Sequence, residues 1–270
     1  MPRRLQRLDV ELIRRGLARS REHAAELISA GRVQVRGVAA TKVATSVSAE
    51  TPVRVIPDSR DPGYASRGGY KLAGALTAFA DIRIAGRRCL DAGASTGGFT
   101  DVLLRAGAAE VVATDVGYGQ LAWALRSDER VRVVDRTNVR GLTPELIGGR
   151  VEVTVADLSF ISLRLVLPAL AACTEPGGEL LPMVKPQFEV GRERLGSGGV
   201  VRDARLRAES VVNVARAGAE LGWYAAGVVP SSLPGPSGNV EFFLWLRRTA
   251  RAMIDEAQIA EVVTRAEEAP

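Results

Sequence analysis

The spacing of apolar residues divides the chain into two regions that meet near residue 60. In the first region, two groups of apolar residues have helical spacing, and each is followed by a glycine that can end a helix, Gly16 or Gly31. Ser20 is suited to cap the second helix. Alternation in "RVQVRG" and "TPVRVIP" predicts two short strands. A small α+β module is therefore predicted, with helix positions Leu8, Leu12 and Ile13, then Ala24, Leu27 and Ile28.

In the second region, short apolar strands alternate with helical segments. "WYAAGVVPS" and "NVEFFLWLRR" follow five such strands and are typical of a final antiparallel pair. This alternation predicts an α/β fold with a mainly parallel, seven-stranded sheet and helices on both faces. The segment "PDSRDPGYAS", rich in Pro, Gly, Asp and Ser, indicates the boundary. We predict a module at 1–58, a linker at 59–65, the main domain at 66–250 and a helical tail at 251–270.

Composition narrows the class of protein. Hydrophobic residues make up 46% and charged residues 25% of the chain, as in ordinary globular domains. The sequence lacks an apolar run near the ~20 residues of a membrane span, and its N-terminus lacks the apolar core of a secretory signal. Cys89 and Cys173 do not suggest a disulfide framework, so reduced thiols and a cytoplasmic location are expected. A single histidine, His23, argues against histidine triads and histidine metal sites, and no metal is expected.

The positive charge is concentrated at the N-terminus. The whole chain carries +5, whereas residues 1–60 hold 11 Arg and one Lys against six acidic residues. The remaining 210 residues are therefore close to neutral. A basic module attached to a neutral domain is typical of a polyanion-binding arm, although a solvated basic face is the simpler alternative.

A glycine-rich loop carries the clearest chemical signal. The run "GASTGG" follows a strand and Asp91, and a helix begins near Phe99. A dinucleotide site uses Gly-x-Gly-x-x-Gly and amides that face a pyrophosphate, which an acid at the loop mouth would repel. The same acid suits a cationic amine, so the loop favours S-adenosylmethionine over a dinucleotide. The predicted contacts are Asp91, Gly93, Ala94, Ser95, Thr96, Gly97, Gly98 and Phe99, with Asp115 at the ribose, Asn138 near the adenine (Asp135 as the alternative), and Asp157 near the donor.

Three lysines stand out among 33 arginines: Lys42, Lys71 and Lys185. Lys185 lies between an apolar strand and Pro186, and Asp157 ends the preceding strand. Because carboxyl ends of neighbouring parallel strands share one edge, these two side chains should share a crevice. Glu241, at the start of the last strand, and Lys71, on the first helix of the domain, could reach it. Lysine can act as a base once burial or a neighbouring cation lowers its pKa, whereas arginine does not lose its proton in proteins.

The N-terminal module resembles the alpha-L RNA-binding motif of the ribosomal protein S4 type. The residues that carry this resemblance are "RLD", "GLARSR" and the pattern A..LI..G.V.V.G, across about residues 6–56. The resemblance implies contact with RNA. Arginine suits such contact because its guanidinium grips phosphate oxygens and stacks on bases. The implied RNA-binding residues are Arg4, Arg7, Arg19, Arg21 and Lys42.

The main domain resembles the FtsJ-like RNA 2′-O-methyltransferases. That family uses a Lys-Asp-Lys-Glu tetrad, which matches Lys71, Asp157, Lys185 and Glu241. The motifs "SRGGYKL", "DAGASTGGFTD", "ADLSFISL", "VKPQFE" and "PGPSGNVEFFLWL", together with the basic module, are similar to the haemolysin A (TlyA) family of ribosomal RNA methyltransferases. The resemblance implies 2′-O-methylation of cytidines in 16S and 23S ribosomal RNA, with ribosomal subunits as partners. The linker lacks the tryptophan of some members.

Within that resemblance we assign Lys185 to take or polarise the ribose hydroxyl proton and Asp157 to orient it, with Lys71 and Glu241 positioning the ribose. Two alternatives belong to other classes: a catalytically inactive RNA-binding protein, and a membrane-active haemolysin. The first would lack part of the tetrad or the donor loop, and the second would show a signal or a membrane-active segment. A monomer is expected.

Overall fold

The computed structural model of the protein describes residues 5–58, 61–248 and 253–266. The chain forms two compact units, Met1–Gly63 and Tyr64–Pro270.

The first unit is a small α+β module around an apolar core. Leu8, Leu12, Leu27, Ile28 and Val33 are buried in that core. The Ser20 hydroxyl accepts a hydrogen bond from the His23 N–H at 3.1 Å, as expected of an N-cap. The elements are β1 (Gln6–Arg7), α1 (Leu8–Arg14), α2 (Arg21–Ser29), β2 (Val33–Val35), β3 (Val38–Ala39), β4 (Ser46–Val47) and β5 (Val53–Val55). β2 pairs with β3 and β5, and β1 pairs with β4; β1, β3 and β4 were not predicted.

The second unit contains a seven-stranded sheet between two helical layers. The strands are β6 (Arg88–Ala92), β7 (Glu110–Thr114), β8 (Val131–Val134), β9 (Val151–Ala156), β10 (Thr174–Val184), β11 (Tyr224–Pro230) and β12 (Phe242–Arg247). Their order is β11-β12-β10-β9-β6-β7-β8. Strands β6 to β10 are parallel, and β12 is antiparallel between β10 and β11. The predicted sheet with its final antiparallel pair is confirmed, and the last strand lies between β10 and β11.

Each face of the sheet has its own core because successive residues of a strand point to opposite faces. Leu180 packs in one core and Leu181 in the other, and Phe242 and Phe243 divide in the same way. The helices that cover the faces are α3 (Arg67–Ala78), α4 (Gly98–Arg105), α5 (Trp123–Arg126), α6 (Pro144–Ile147), α7 (Leu167–Cys173), α8 (Pro186–Glu189), α9 (Ala204–Glu220) and α10 (Glu256–Arg265).

The C-terminal helix α10 belongs to this unit. Asp255 and Gln258 form a capping box at its start. Ile259 and Val263 are buried in the core beside α9. Helix α10 lies within the predicted tail, and it completes one face of the fold. Across the described ranges, none of the helices has both the length and the hydrophobicity needed to cross a bilayer.

Candidate active site

Three functional side chains meet at the carboxyl edge of the sheet because of strand direction. Asp157 directly follows β9, and Lys185 directly follows the neighbouring parallel strand β10. Glu241 directly precedes β12, which runs antiparallel to β10 with Val184 opposite Phe242. The start of an antiparallel strand lies at the same edge as the end of its parallel neighbour. The topology therefore brings Glu241 to the edge at which β9 and β10 end.

Lys185 forms an ion pair with Asp157. Its Nζ lies 2.6 Å from Asp157 Oδ1, although the angle is not that of a hydrogen bond, and it donates a hydrogen bond to Ser159 Oγ at 3.1 Å. The lysine side chain is buried, whereas the Asp157 side chain is partly exposed. A cation in this setting is held by a carboxylate and a hydroxyl on the loop that follows β9.

Lys71 forms a second, deeper ion pair with Glu241. Its Nζ donates a hydrogen bond to Glu241 Oε2 at 2.6 Å, and both side chains are buried. Gln187 donates from its side-chain amide to the other oxygen, Oε1, at 3.4 Å. A Cβ on Gly235 would collide with the Glu241 carboxylate, so the loop that precedes β12 approaches this carboxylate closely. The predicted tetrad is thus present as two ion pairs.

Two cavities lie at this edge, and the Lys185–Asp157 pair links them. The larger cavity, about 520 Å³, is lined by Lys185 and Glu241 among others. The smaller cavity, about 110 Å³, is lined by Asp157 and the glycine-rich loop. One member of the pair therefore faces each cavity.

Two aromatic side chains form an apolar wall of the larger cavity. The Phe160 ring is 91% exposed and its φ is +63°, an uncommon conformation for a phenylalanine. Its centroid lies 5.3 Å from that of Phe188, with the planes inclined by 49°. Lys185 Nζ lies 6.0 Å from the Phe188 ring centroid. A planar ligand could stack here beside the lysine.

A buried carboxylate holds the loop that carries Phe160. Glu189 accepts hydrogen bonds from Ser162 Oγ at 2.6 Å and from the Leu163 N–H at 2.7 Å. Burial raises the pKa of Glu189 above the usual value, while these hydrogen bonds oppose that rise. The loop after β9 is in this way joined to helix α8.

Five of the predicted contacts in the glycine-rich segment line the smaller cavity: Gly93, Ala94, Ser95, Gly98 and Phe99. Gly93 has a φ of +87°, and a Cβ there would collide with the Asp157 carbonyl oxygen. A Cβ on Gly98 would collide with Ser66 Oγ. At both positions neighbouring protein atoms therefore approach the backbone too closely for a side chain. Thr96 and Gly97, also predicted contacts, do not line the cavity; Gly97 instead precedes α4 with a φ of +96°.

Asp91 differs from its expected placement. β6 continues through Ala92, so Asp91 lies inside the strand and is fully buried, not at the mouth of the loop. Thr100 Oγ1 donates to its Oδ2 at 2.7 Å. Burial, together with the charge of Asp157, raises the pKa of Asp91 to about 7, although the hydrogen bond from Thr100 opposes this rise. A direct contact of Asp91 with a ligand remains a prediction that its burial does not favour.

Asp115 lies where an acid was predicted, directly after β7. Its carboxylate accepts hydrogen bonds from the Ser95 N–H at 2.8 Å and the Gly117 N–H at 2.7 Å. Asn138 is exposed, and its Oδ1 caps a short 3₁₀ helix by accepting from the Arg140 N–H at 3.0 Å. Asp135 accepts from Arg126 and from the Gly119 N–H. Both adenine candidates therefore already make local hydrogen bonds.

In the N-terminal unit, the predicted RNA-binding residues Arg7, Arg19, Arg21 and Lys42 are exposed. Arg4 lies outside the described residues. Hydrogen bonds from Arg7 and, secondarily, Arg21 lower the pKa of buried Asp9 to about 2.

Several residues of the site were missed by the sequence reasoning. Ser66 and Gly68 line the smaller cavity, and Ser159, Phe160 and Phe188 surround Lys185. They stand within a few residues of predicted ones, in "SRGGYK", "ADLSF" and "VKPQF". Proximity to Lys71, Asp157 and Lys185 was the available signal. Among the described residues there is no group of three or more His, Cys, Asp and Glu that could hold a metal ion.

Comparisons with known proteins identify the family of this chain. The model of the FtsJ-like methyltransferases matches residues 64–248, and that of the S4 domain matches residues 6–53. The chain is 61% identical to the 16S/23S rRNA (cytidine-2′-O)-methyltransferase TlyA of Mycobacterium tuberculosis, over 96% of each chain. It is 42% identical to YqxC of Bacillus subtilis, described as a proposed rRNA methyltransferase, over 91% of this chain and 87% of that one. A solved structure from Streptococcus thermophilus, described as a proposed hemolysin, is 36% identical with a TM-score of 0.78, covering 98% of this chain and 96% of that one.

Proposed function

The chain belongs to the FtsJ-like methyltransferases and carries an S4 domain, and we propose that it methylates the ribose 2′-hydroxyl of cytidines in 16S and 23S ribosomal RNA, with S-adenosylmethionine as the methyl donor. The observation that supports this proposal best is the Lys185–Asp157 pair. One member lines the glycine-rich cavity and the other lines the cavity with the aromatic wall. A transferase must hold its donor and its acceptor next to each other, and the two cavities on either side of the Lys185–Asp157 pair meet this requirement.

The smaller cavity fits the methionine end of S-adenosylmethionine. Gly93 and Gly98 line this cavity without side chains that could enter it, and the Asp157 carboxylate can attract a cationic amine or sulfonium. Asp115 would hold the ribose hydroxyls with its remaining lone pairs. When bound, S-adenosylmethionine supplies an electrophilic methyl group on a positively charged sulfur.

The residues of the larger cavity would prepare the acceptor. A ribose 2′-hydroxyl is a weak nucleophile, so its proton must be removed or its developing negative charge stabilised as the oxygen attacks. Lys185 lies at the junction of the two cavities and can do either, while Asp157 and Ser159 fix its ammonium group. The Lys71–Glu241 pair would position the ribose from the deeper side.

The aromatic wall would hold the base of the target nucleotide. Phe160 is exposed, and its ring centroid lies 5.3 Å from that of Phe188, next to Lys185. Stacking between a base and an aromatic side chain contributes about 1–3 kcal/mol in RNA-binding proteins. A base on this wall would bring its own ribose toward Lys185.

The N-terminal unit would bind the surrounding ribosomal RNA. Its exposed arginines suit phosphate contacts, which orient a protein on RNA and carry little sequence information. Ribosomal subunits are therefore the proposed partners, and the choice of nucleotide is assigned to the catalytic unit.

The test uses methyl-labelled S-adenosylmethionine and purified ribosomal subunits that lack these methyl groups, followed by mass mapping of rRNA fragments. We expect 2′-O-methylcytidine in both RNAs with the wild type. Lys185→Arg keeps the charge but cannot give up a proton, and it should lower single-turnover methylation by about 10²–10⁴-fold. Arg216→Lys, a cation exchange in an exposed ion pair, is the matched control and should stay active.

The outcomes are separable. A wild type that transfers no methyl group to either subunit contradicts the proposed function. Full activity of Lys185→Arg contradicts only the role of Lys185. Binding of S-adenosylmethionine to both variants, measured by calorimetry, shows whether a loss of activity arises in the chemical step.

A further inference from the structure

Asp9 is a buried carboxylate with two exposed arginine partners. Its residue is 3% exposed, whereas the Arg7 and Arg21 side chains are 47% and 60% exposed. Arg7 donates from Nε to Oδ1 at 3.0 Å and from Nη2 to Oδ2 at 3.1 Å. Arg21 donates from Nη2 at 3.0 Å and from Nε at 3.2 Å, both to Oδ2. One carboxylate therefore fixes two guanidinium groups side by side.

We propose that Asp9 is a positioning residue that holds Arg7 and Arg21 as one preformed clamp for a phosphate of the RNA substrate. This proposal rests on the proposed function, because it requires an RNA partner. Asp9 does not touch the RNA in this arrangement; it acts through the two arginines.

The donor inventory supports a clamp. A guanidinium has five N–H donors, and each arginine directs two nitrogens at Asp9. The remaining donors of each group stay available for phosphate oxygens on the exposed side. Because Asp9 has already ordered both long side chains, less conformational entropy is lost when RNA binds.

The position of Asp9 explains how the clamp is built. Arg7 directly precedes α1 and Arg21 is the first residue of α2, so these arginines lie at the starts of different helices. The Asp9 carboxylate, on α1, connects both helix starts, and its Oδ1 also accepts from the Val10 N–H at 3.0 Å. The spacing of Arg7 and Arg21 is thus set by tertiary structure.

Glu11 provides an internal control on the same helix. It is 1% exposed and also pairs with two arginines, Arg14 and Arg15. Arg15, however, donates to the carbonyl oxygens of Thr51, Ser48 and Ala49 at 2.8, 3.0 and 2.9 Å, so it ties the helix to the following chain. Because the Arg14 side chain is 51% exposed, Glu11 holds one solvent-facing cation and commits the other to the fold of the unit, whereas both cations held by Asp9 face solvent.

Whether Asp9→Asn weakens or strengthens RNA binding distinguishes a positioning role from a simple electrostatic effect. Asp9→Asn removes one negative charge from a basic surface, and charge attraction alone would then strengthen binding to RNA. Loss of a positioning residue would weaken binding instead. Glu11→Gln makes the same change of charge at a similarly buried site.

The experiment measures the affinity of the full-length protein for 16S and 23S rRNA fragments at several salt concentrations. We expect Asp9→Asn to weaken binding by about tenfold, because two side chains must then be ordered on binding. Glu11→Gln should bind as tightly as the wild type, or more tightly. Thermal unfolding of each variant is recorded, since both substitutions remove ion pairs and both should lower stability.

A double-mutant cycle distinguishes positioning from damage to the fold. In an Arg21→Ala background, the effect of Asp9→Asn should shrink, whereas general damage would weaken binding equally in both backgrounds. Asp9→Glu keeps the charge but displaces the arginines, and it supplies the same comparison if Asp9→Asn does not fold. Binding of Asp9→Asn as tight as that of the wild type overturns the clamp. A wild type that binds neither RNA overturns the proposed function, and the clamp with it.

Discussion

The candidate functional residues of the two units arrange their ion pairs in opposite ways. In the Met1–Gly63 unit, Asp9 and Glu11 are buried, and most of their arginine partners face solvent. In the Tyr64–Pro270 unit, the cations Lys71 and Lys185 are themselves buried at the carboxyl edge of the sheet. An exposed cation remains available to an external anion, whereas a buried one interacts with its partner and with whatever enters the crevice. The location of the cation therefore separates the residues proposed for RNA recognition from those proposed for catalysis.

The free energies of such pairs differ accordingly. An exposed ion pair contributes about 0–1 kcal/mol to stability. Removal of one partner of a buried pair costs about 3–5 kcal/mol, because the other charge is left without compensation.

The largest effect is expected from breaking the deepest pair. Glu241→Gln leaves the Lys71 ammonium buried without a counterion, so the free energy of unfolding should fall by about 3–5 kcal/mol. Methylation should fall as well, since the pair is proposed to position the ribose. Chemical denaturation and a single-turnover assay measure the two quantities.

Combining this substitution with Lys71→Met gives the matched control. Removal of both charges should restore much of the stability without restoring activity. Unchanged stability of Glu241→Gln alone would show that the buried pair does not behave as described.

The second effect concerns the pH dependence of stability. The pKa of the buried carboxyl Asp91 is raised in one unit, and those of Asp9 and Glu11 are lowered in the other. The pKa of Asp91 is raised to about 7, so its burial costs stability increasingly as pH rises from about 4 to 7. The pKa values of Asp9 and Glu11 are lowered to about 2; the stability they contribute is present above about pH 4 and lost as pH falls through 2. Acidification from pH 8 to 5 should therefore stabilise the catalytic unit through Asp91. In the N-terminal unit Asp9 and Glu11 contribute no change over this range, and His23, whose pKa burial lowers, makes acidification destabilising.

Asp91→Asn tests directly whether the Asp91 charge lowers the stability of the catalytic unit as pH rises. The variant should be more stable than the wild type at pH 8, by up to about 4 kcal/mol, and its Tm should change less between pH 8 and 5. Burial also raises the pKa values of Glu179 and Glu189, so some dependence should persist. A Tm that rises between pH 5 and 8 in the wild type would contradict this assignment.

The third effect compares how the two units bind RNA. Phe160→Ala should weaken substrate binding by about 1–3 kcal/mol through lost stacking, with little change in its salt dependence. Arg21→Ala should reduce the slope of log affinity against log salt, by about 0.7–0.9 for one phosphate contact. Affinity measured across a salt series distinguishes the loss of stacking from the loss of a phosphate contact.

Leu165→Ala is the control for Phe160, since Leu165 is exposed on the 3₁₀ helix that follows the same loop. It should bind RNA as the wild type does. A reduced salt slope for Phe160→Ala would assign that loop to phosphate contacts instead of stacking.

The smallest effect is expected at an exposed pair. Arg216 and Glu256 connect α9 to α10 at 2.9 Å, and more than half of each side chain is exposed. Arg216→Ala should lower the free energy of unfolding by less than about 1 kcal/mol. A loss near that of Glu241→Gln in the same denaturation assay would remove the distinction between exposed and buried pairs.

The periodic elements of the fold could be predicted because local pattern decides them. The alternation of strands and helices predicted the sheet, and Ser20, Gly16 and the apolar positions predicted the first two helices. The placement of Asp91 could not be predicted in this way. Whether a strand ends at one residue or the next depends on the neighbouring strands, and β7 and β9 extend the pairing through Ala92.

The candidate site was predicted only as residue types at strand ends. Asp157 and Lys185 follow from the rule that parallel strands share a carboxyl edge. The exposed ring of Phe160 was missed, because its φ of +63° is set by the surrounding loop and its neighbour Phe188 lies 28 residues away.

The sequence by itself determined the two-part organisation, the parallel sheet, the glycine-rich loop and the identity of the four charged residues of the tetrad. The first three depend on local spacing and composition, whereas the tetrad was identified from residues at strand ends and from the resemblance to the FtsJ-like family. Only the tertiary structure decided that the tetrad divides into two ion pairs, that one pair joins two cavities, and that both arginine partners of Asp9 face solvent whereas Arg15, one partner of Glu11, binds backbone carbonyls. The physical reason is that pairing and burial depend on distances between residues far apart in the chain, which close only when the strands and helices pack.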